Sequence, residues 1–324
     1  MTDEQLREEG PPSIFDYTMG DHWDDCPRKL YWFLRGVVPL EEPDYFTAGR
    51  AWQAALTKWY NSEGTQGERL AQGQAAILKT YAACQTPILD EARSHANLLN
   101  LFSLYIMQFP IEPWLFVRCE LGWAYPLSDF SLGGAMDGYI RWEPYGPLVL
   151  ENKTMKFYIT DNTLPQFRLH LQPTQYIWGL HRTIEEEPWG CLMNIASLLI
   201  PKKETTEREL FIRGIEQRSS FELLRFEEEW KGRVEGIRAQ WGHPFDRWRK
   251  KYSTHLGRPI RPTWNSHWPE WSWPMTGRFC HGGYGLKSCM YSLLCAMNTP
   301  PEKTHVPGNL YTYREQWKPW ERKG

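Results

Sequence analysis

No run of apolar residues in this chain of 324 is long enough to cross a bilayer, which takes about 20 such residues as a helix. Nor is there an excess of positive charge. Lys and Arg number 37 against 39 Asp and Glu, a formal net charge of -2, so no global field advertises nucleic acid. Any such partner must be met by local patches. The opening residues, MTDEQLREEGPPS, are acidic and polar. They lack both the apolar core of a secretory signal and the Arg-rich, acid-poor character of a transit peptide. A cytoplasmic protein is the expectation, and in a reducing compartment its seven Cys are not a disulfide framework. No internal repeat is found.

Aromatic side chains, by contrast, are plentiful. Eighteen Trp serve either a thickly packed core or flat stacking surfaces. The length allows one large domain or two ordinary ones, with a substantial core. Residues 1–13 read as a flexible tail and 14–324 as one domain: a helical segment at 26–110, a core at 114–200, and a helical, Cys-rich part at 204–297.

Helical spacing marks CPRKLYWFLRG and FTAGRAWQAALTKWYNS, on either side of a Pro/Glu-rich connection at Pro39 to Asp44. It continues in ERLAQGQAAILKTYAACQ and LDEARSHANLLNLFSLYIMQF. The texture then changes. WLFVRCELGWAYPL, LGGAMDGYIRWE and GPLVLENKT are short β-rich runs broken by Gly and Pro, an antiparallel meander. PQFRLHLQPTQYIWGLHRTI returns to helix, with Pro173 either in the first turn or at a kink. GCLMNIASLLIPKK reads as a buried strand, and residues 206–241 as one or two charged amphipathic helices. Beyond about residue 255 little periodicity remains.

Chemistry concentrates at two places. Asp137 follows Gly133-Gly134-Ala135-Met136, small residues that let another group approach closely. Glu151 and Lys153 lie two apart, so on a strand they point to the same side. If the strands at 131–142 and 146–154 pair around Pro144 to Pro147, Asp137 and Glu151 meet on one face. Two carboxylates with open coordination positions suit Mg²⁺ or Mn²⁺. A lysine beside them can orient or deprotonate a water, which is the equipment of metal-assisted phosphodiester hydrolysis. Gln172 and Tyr176, four apart on the next helix, share a face and can reach a phosphate or the metal's water network. Taken alone, the same spacing also describes a charged strand end.

The second place is GRFCHGGYGLKSCMYSLLCAMNTP, where Cys280, Cys289 and Cys295 lie within sixteen residues. A closed tetrahedral or cubane site needs a fourth ligand. His281 would complete a Cys₃His Zn²⁺ site, whereas Cys26, in DDCPRKLYW, would make Cys₄ for an iron–sulfur cluster. Cys84, Cys119 and Cys191 lie in apolar periodic runs and read as core thiols.

In this order the parts resemble the RecB-like branch of the PD-(D/E)XK nuclease superfamily, and within it the iron–sulfur members: AddB-type helicase–nuclease subunits, CRISPR-adaptation exonucleases and phage-borne relatives. The resemblance rests on Cys26, Gly49 in GRAWQAAL, Asp137, Glu151, Lys153, Gln172, Tyr176 and the three late cysteines, and spans about residues 20 to 297. It implies an α/β (α+β) restriction-endonuclease-like core with a mixed sheet of four to five strands flanked by helices. The family's cluster joins one early Cys to three late ones. A [4Fe–4S] cluster held by Cys26, Cys280, Cys289 and Cys295 is therefore implied as a staple, with Zn²⁺ the alternative. The metal site would hold Mg²⁺ or Mn²⁺ on Asp137 and Glu151, with the Asn152 carbonyl, Gln53 and Glu120 as helpers.

One departure stands out. The family usually has a metal-binding His four residues after the early Gly, and here Gln53 occupies that position. A carboxamide oxygen still ligates Mg²⁺ but cannot titrate, which implies a metal preference shifted toward Mg²⁺, weaker second-site binding, or reduced activity.

Lys153, Lys156, Arg168, His170, Lys202 and Lys203 could track a DNA backbone. The run RWRKKYSTHLGRPIRP at 247–262 adds charge interleaved with Trp248 and Tyr252 for stacking on bases. No groove-reading module is present, so little sequence specificity is expected. The resemblance implies an exonuclease of recombination, repair or phage DNA processing in a bacterial or phage-infected cytoplasm, with a helicase, recombinase or annealing protein as partner. Two other classes fit the same residues. One is a nuclease-derived module that binds DNA or a protein without cutting, and the other is a zinc-stabilised structural protein.

Overall fold

The computed structural model describes residues 11–84, 86–202, 205–241, 289–296, 306–314 and 318–321. In chain order the elements begin with β1 (Ile14–Phe15), α1 (Tyr17–Asp25), α2 (Pro27–Leu34) and β2 (Val37–Pro39). Then come α3 (Asp44–Asn61), α4 (Gln66–Ala82) and α5 (His95–Gln108). The strands β3 (Leu115–Leu127), β4 (Phe130–Trp142) and β5 (Gly146–Met155) follow, then α6 (Leu171–Ile184) and β6 (Gly190–Ser197). The last are α7 (Glu207–Leu210), β7 (Phe211–Glu216), α8 (Ser220–Trp241), α9 (Ser292–Ala296) and β8 (Tyr311–Tyr313).

These residues fall into two compact units. One draws its described residues from Met1–Leu40, Pro126–Ser131 and Arg225–Trp317, the other from Glu41–Tyr125, Leu132–Leu224 and Lys318–Gly324.

The second unit is a mixed sheet flanked by helices. Its strands run β4-β5-β6-β7, with β3 also on β4, five strands against the four to five expected. β4 and β5 pair antiparallel, Gly138 facing Leu150. β5 and β6 are parallel, Glu151 beside Met193 and Asn152 beside Asn194, a pairing that needs a crossover. α6 supplies it. Pro173 stands third in that helix, in the first turn, where no intrahelical donor is required.

Residues 206–241 do not form only helices, as their charged periodicity suggested. Phe211–Glu216 is a strand antiparallel to β6, with Asn194 facing Arg213. The six residues FIRGIE carry β-branched Ile at 212 and 215. Gly214 clears the way for Leu164, whose Cδ1 would lie 2.4 Å from an added Cβ. A short apolar run of this kind is ambiguous between helix and strand, and an open sheet edge decides it.

Successive residues of β5 face opposite sides of the sheet. α3, α4 and α5 cover one side in a cluster that takes in Ala196, Leu198 and Phe211. α6 covers the other. α4 starts with a Thr65–Glu68 capping box and α5 with Ser94 accepting from Asn97 N. Tryptophan serves the interior: Trp52, Trp59 and Trp178 here, and Trp32 and Trp230 in the first unit, are fully buried.

In the first unit, α1 was not foreseen from the sequence. Asp16 caps it, accepting from Met19 N at 2.8 Å. β2 pairs antiparallel with β8, Val37 facing Tyr313, and Tyr291 Oη donates to Val37 O at 3.0 Å. Arg233 of α8 pairs with Asp24 at 2.6 Å. Backbone pairing thus ties the late segment to the early one without any cysteine. No described helix is long and apolar enough to cross a membrane.

Candidate active site

The β4–β5 ladder is ordered as far as Gly138 and Leu150. One step further along that register stand Asp137 and Glu151. There the Asn152 N–H donates to Asp137 Oδ2 at 2.8 Å, so a side chain takes a ladder donor and the two carboxylates come to one place.

Glu151 is 2% exposed. Its Oε1 accepts from Lys153 Nζ at 2.7 Å, but Oε2 is buried with no hydrogen-bond partner among the described residues. Burial raises the pKa of Glu151, and the Lys153 cation offsets this only in part. Asp137 is pushed well above the ordinary carboxylate range, first by desolvation and then by the Glu151 charge. Two carboxylates that oppose each other's ionisation, one with a buried free oxygen, form a donor set that fits a hard divalent cation.

Lys153 also donates to Gln172 Oε1 at 2.6 Å, and Gln172 Nε2 donates to Tyr176 Oη at 3.1 Å. Glu151, Lys153, Gln172 and Tyr176 therefore form one hydrogen-bonded row on the α6 side of β5. The glycines before Asp137 explain how α6 comes so near. A Cβ at Gly134 would meet Tyr176 Cε1 at 3.2 Å and Trp123 at 3.4 Å. Gln175 Nε2 donates to Gly133 O at 2.9 Å.

Gln53 reaches the site from the other side. α3 crosses β5 where Gly49 faces Thr154 Oγ1, 3.6 Å from an added Cβ. One turn on, Gln53 Oε1 accepts from Asn152 Nδ2 at 3.0 Å. Gln53 thus joins the site through the Asn152 side chain. Glu120 takes a φ of 47° within β3, a left-handed conformation uncommon outside glycine, and its charge helps raise the Asp137 pKa. Next to it, Cys119 Sγ contacts Asp137 O at 3.5 Å.

Of the basic residues, Arg168, His170 and Lys202 are exposed. Partial desolvation and the Lys153 cation lower the His170 pKa. Lys156 is paired with Asp90 at 2.6 Å. Lys203 and the run at 247–262 lie outside the described residues.

Cys26, Cys289 and Cys295 all belong to the first unit. Burial raises the Cys295 thiol to about 11, with Cys26 and Cys289 near enough to add to the rise. Among the described residues, no three Cys, His, Asp or Glu side chains are arranged to hold a metal ion, so these thiols by themselves form no cage. Cys280 and His281 lie outside the described residues. Cys119 and Cys191 are buried core thiols, while Cys84 is only partly buried.

A second polar group, beside Asn152, was not foreseen from the sequence. Asn194 Nδ2 donates to Asn152 Oδ1 at 2.7 Å and to Tyr105 Oη at 2.8 Å. Asn194 Oδ1 accepts from Arg213 Nε at 3.1 Å, and Arg213 pairs with Glu112 at 2.7 Å. A lone Asn inside the apolar run GCLMNIASLL was the available signal, since a buried carboxamide must find partners.

No protein-family model matches the chain, and no curated protein matches it. Among solved structures, it is similar to a protein described as SSO0001, at 13% identity and a TM-score of 0.32, over 75% of this chain and 89% of that one. It is also similar to LHK-Exo, an alkaline exonuclease from Laribacter hongkongensis, at 10% identity and a TM-score of 0.29, over 66% and 98%. LHK-Exo in complex with dAMP gives 12% and 0.27 over the same shares. Likenesses at this level leave the site to be argued from the chain itself.

Proposed function

We propose that this chain is a divalent-metal-dependent DNA nuclease on a restriction-endonuclease-like core. The observation that carries the reading is the Asp137–Glu151 pair, whose buried Glu151 Oε2 has no hydrogen-bond partner among the described residues. Asp137 and Glu151 would hold Mg²⁺ or Mn²⁺, with the Asn152 carbonyl, Gln53 and Glu120 as further oxygen donors. Such an ion supplies Lewis acidity and lowers the pKa of a bound water.

The protein's own groups do the rest. Lys153, held by Glu151 and Gln172, acts as a fixed cation rather than a base, because its two acceptors stabilise the ammonium. It orients the attacking water and balances negative charge that grows on the phosphoryl oxygens. Gln172 and Tyr176 support the substrate phosphate. Arg168, His170 and Lys202 offer sequence-independent contacts to the backbone. Hydrolysis breaks one P–O bond, and the proton lost by water ends on the leaving oxygen.

Action from DNA ends, in recombination, repair or phage DNA processing, is the finer form of the proposal. An iron–sulfur cluster on Cys26, Cys280, Cys289 and Cys295 would staple the first unit, with Zn²⁺ the alternative. The influence of Cys26 and Cys289 on the Cys295 thiol supports that reading. Iron, sulfide and zinc analysis of anaerobically purified protein separates the two.

The decisive assay incubates open-ended and end-blocked, single- and double-stranded DNA with Mg²⁺ or Mn²⁺ and maps the products. Cleavage that needs the metal and disappears in the Asp137→Ala protein is expected. Full cleavage by that variant sinks the assignment.

A further inference from the structure

We infer that Asn194 and Arg213 are positioning residues, which set the end that the Asn152 and Gln53 carboxamides present to the candidate metal site. The inference rests on the proposed reading of Gln53 as an oxygen donor to a cation.

A carboxamide can present its oxygen or its NH₂ at nearly equal steric cost, so something must choose. Arg213 can, because a guanidinium only donates and is never deprotonated. It is locked in place. Its Nη1 and Nη2 donate to Glu112 at 2.7 and 2.8 Å, Nη2 also donates to Tyr105 Oη, and the group lies 3.6 Å from the Phe109 ring centroid. Its Nε–H points at Asn194 at 3.1 Å, which must answer with oxygen.

The Asn194 NH₂ is then turned to Asn152 at 2.7 Å and Tyr105 at 2.8 Å. Asn152 must meet it with Oδ1, and so turns its own NH₂ to Gln53 at 3.0 Å. Gln53 in turn must present Oε1. One donor-only group thus orders three carboxamides in sequence, and the last presents an oxygen with a second lone pair for a cation. The relay is shielded: Asn194 is 2% exposed, and no buried side-chain atom of Asn194, Arg213 or Glu112 lacks a partner.

Asn194→Asp reverses the relay without changing its size. Both Asp oxygens accept, so Asn152 must turn its NH₂ toward position 194 and its oxygen toward Gln53, which then turns its NH₂ inward. Asn194→Ala removes the instruction without reversing it. If both Asn152 orientations are then equally populated, affinity falls only about twofold. The added negative charge of Asp would by itself tighten cation binding, so charge and relay predict opposite signs.

The test titrates metal-free protein with Mn²⁺ alone, without DNA, counting the free ion by its paramagnetic resonance signal. The Asn194→Asp protein is expected to bind about tenfold or more weaker than wild type, and the Asn194→Ala protein within about threefold of it. Equal weakening of both, or wild-type binding by Asn194→Asp, overturns the inference. A measurement on wild type covers a variant that does not fold. Side-chain NH₂ exchange by ¹⁵N NMR should show the Asn194 and Asn152 amides protected. A protected Gln53 NH₂ with a rapidly exchanging Asn152 NH₂ refutes the relay. If wild type binds no Mn²⁺, or binds it equally after Asp137→Ala, the metal-site reading fails instead, while the amide order is still decided by exchange.

Discussion

The two faces of β5 carry polar clusters of opposite character. On the helical α3–α5 side, Arg213, Glu112, Asn194 and Tyr105 close on one another, and none of their buried side-chain atoms lacks a partner. At the fork with β4, the Glu151 charge adds to burial in raising the Asp137 pKa, and among the described residues Glu151 Oε2 is buried without a hydrogen-bond partner. A cluster of the first kind needs nothing further and stiffens the fold. A cluster of the second kind keeps carboxylate oxygens unsatisfied by the protein itself, and the proposed metal site rests on that feature.

That contrast predicts different losses on each side. At the fork the loss is of activity: Asp137→Ala should lower cleavage on the order of a thousandfold, about 4 kcal/mol of transition-state stabilisation, with little change in unfolding by urea. Across β5 the loss is of stability. Arg213→Met leaves the partly buried Glu112 beside Tyr60 without its cation, and should cost about 3 kcal/mol in urea unfolding, most of it recovered by adding Glu112→Leu. If Arg213→Met unfolds like wild type, the self-satisfied cluster is not structural.

Metal addition gives a smaller, sharper effect. At 100 times its dissociation constant, Mg²⁺ should stabilise wild type by about 2.7 kcal/mol, and the Glu151→Gln protein by nearly nothing. Differential scanning calorimetry with and without the ion reads the difference.

The pH dependence follows from the direction of the shifts. Asp137 and Glu151 have raised pKa values, so a metal ion must displace protons, and Mn²⁺ affinity should climb as pH rises through those values. Metal-free protein should do the reverse. A carboxyl raised on folding contributes stability below its unfolded pKa and loses it as pH rises through the folded one. Asp137→Asn should flatten that decline.

The smallest effect separates the fork from ordinary burial. Asp16 in the first unit is raised to about 7 by burial, and stability from its protonated form is lost as pH rises from about 4 to about 7. Asn still caps a helix, so Asp16→Asn should stabilise the protein by about 1 kcal/mol above pH 7, without altering Mn²⁺ binding.

Much of the second unit's fold was legible along the chain. The helical spacing at 46–62, 68–85 and 89–109, and the broken β-rich runs at 114–154, are local periodicities, and local periodicity survives without tertiary context. FIRGIE was not legible, because six residues with Ile at 212 and 215 satisfy either period until a free sheet edge selects the strand. α1 was missed for a related reason: YTMGDHWDD has little apolar patterning, and its signal was the single cap Asp16. At the site, spacing put Glu151 with Lys153 and Gln172 with Tyr176, and the family resemblance gave these residues and Asp137 their expected roles.

Residue spacing determined that Glu151 and Lys153 share a side of a strand and that Gln172 and Tyr176 share a side of a helix, because 2.0 and 3.6 residues per repeat are properties of the backbone. Tertiary structure alone decided the rest: that α6 crosses close enough for Lys153 to reach Gln172, that Gln53 arrives through Asn152, and that Arg213 stands behind Asn194. Those contacts join residues 19, 99 and 19 positions apart. Each depends on which strand lies beside which, and no local repeat encodes that.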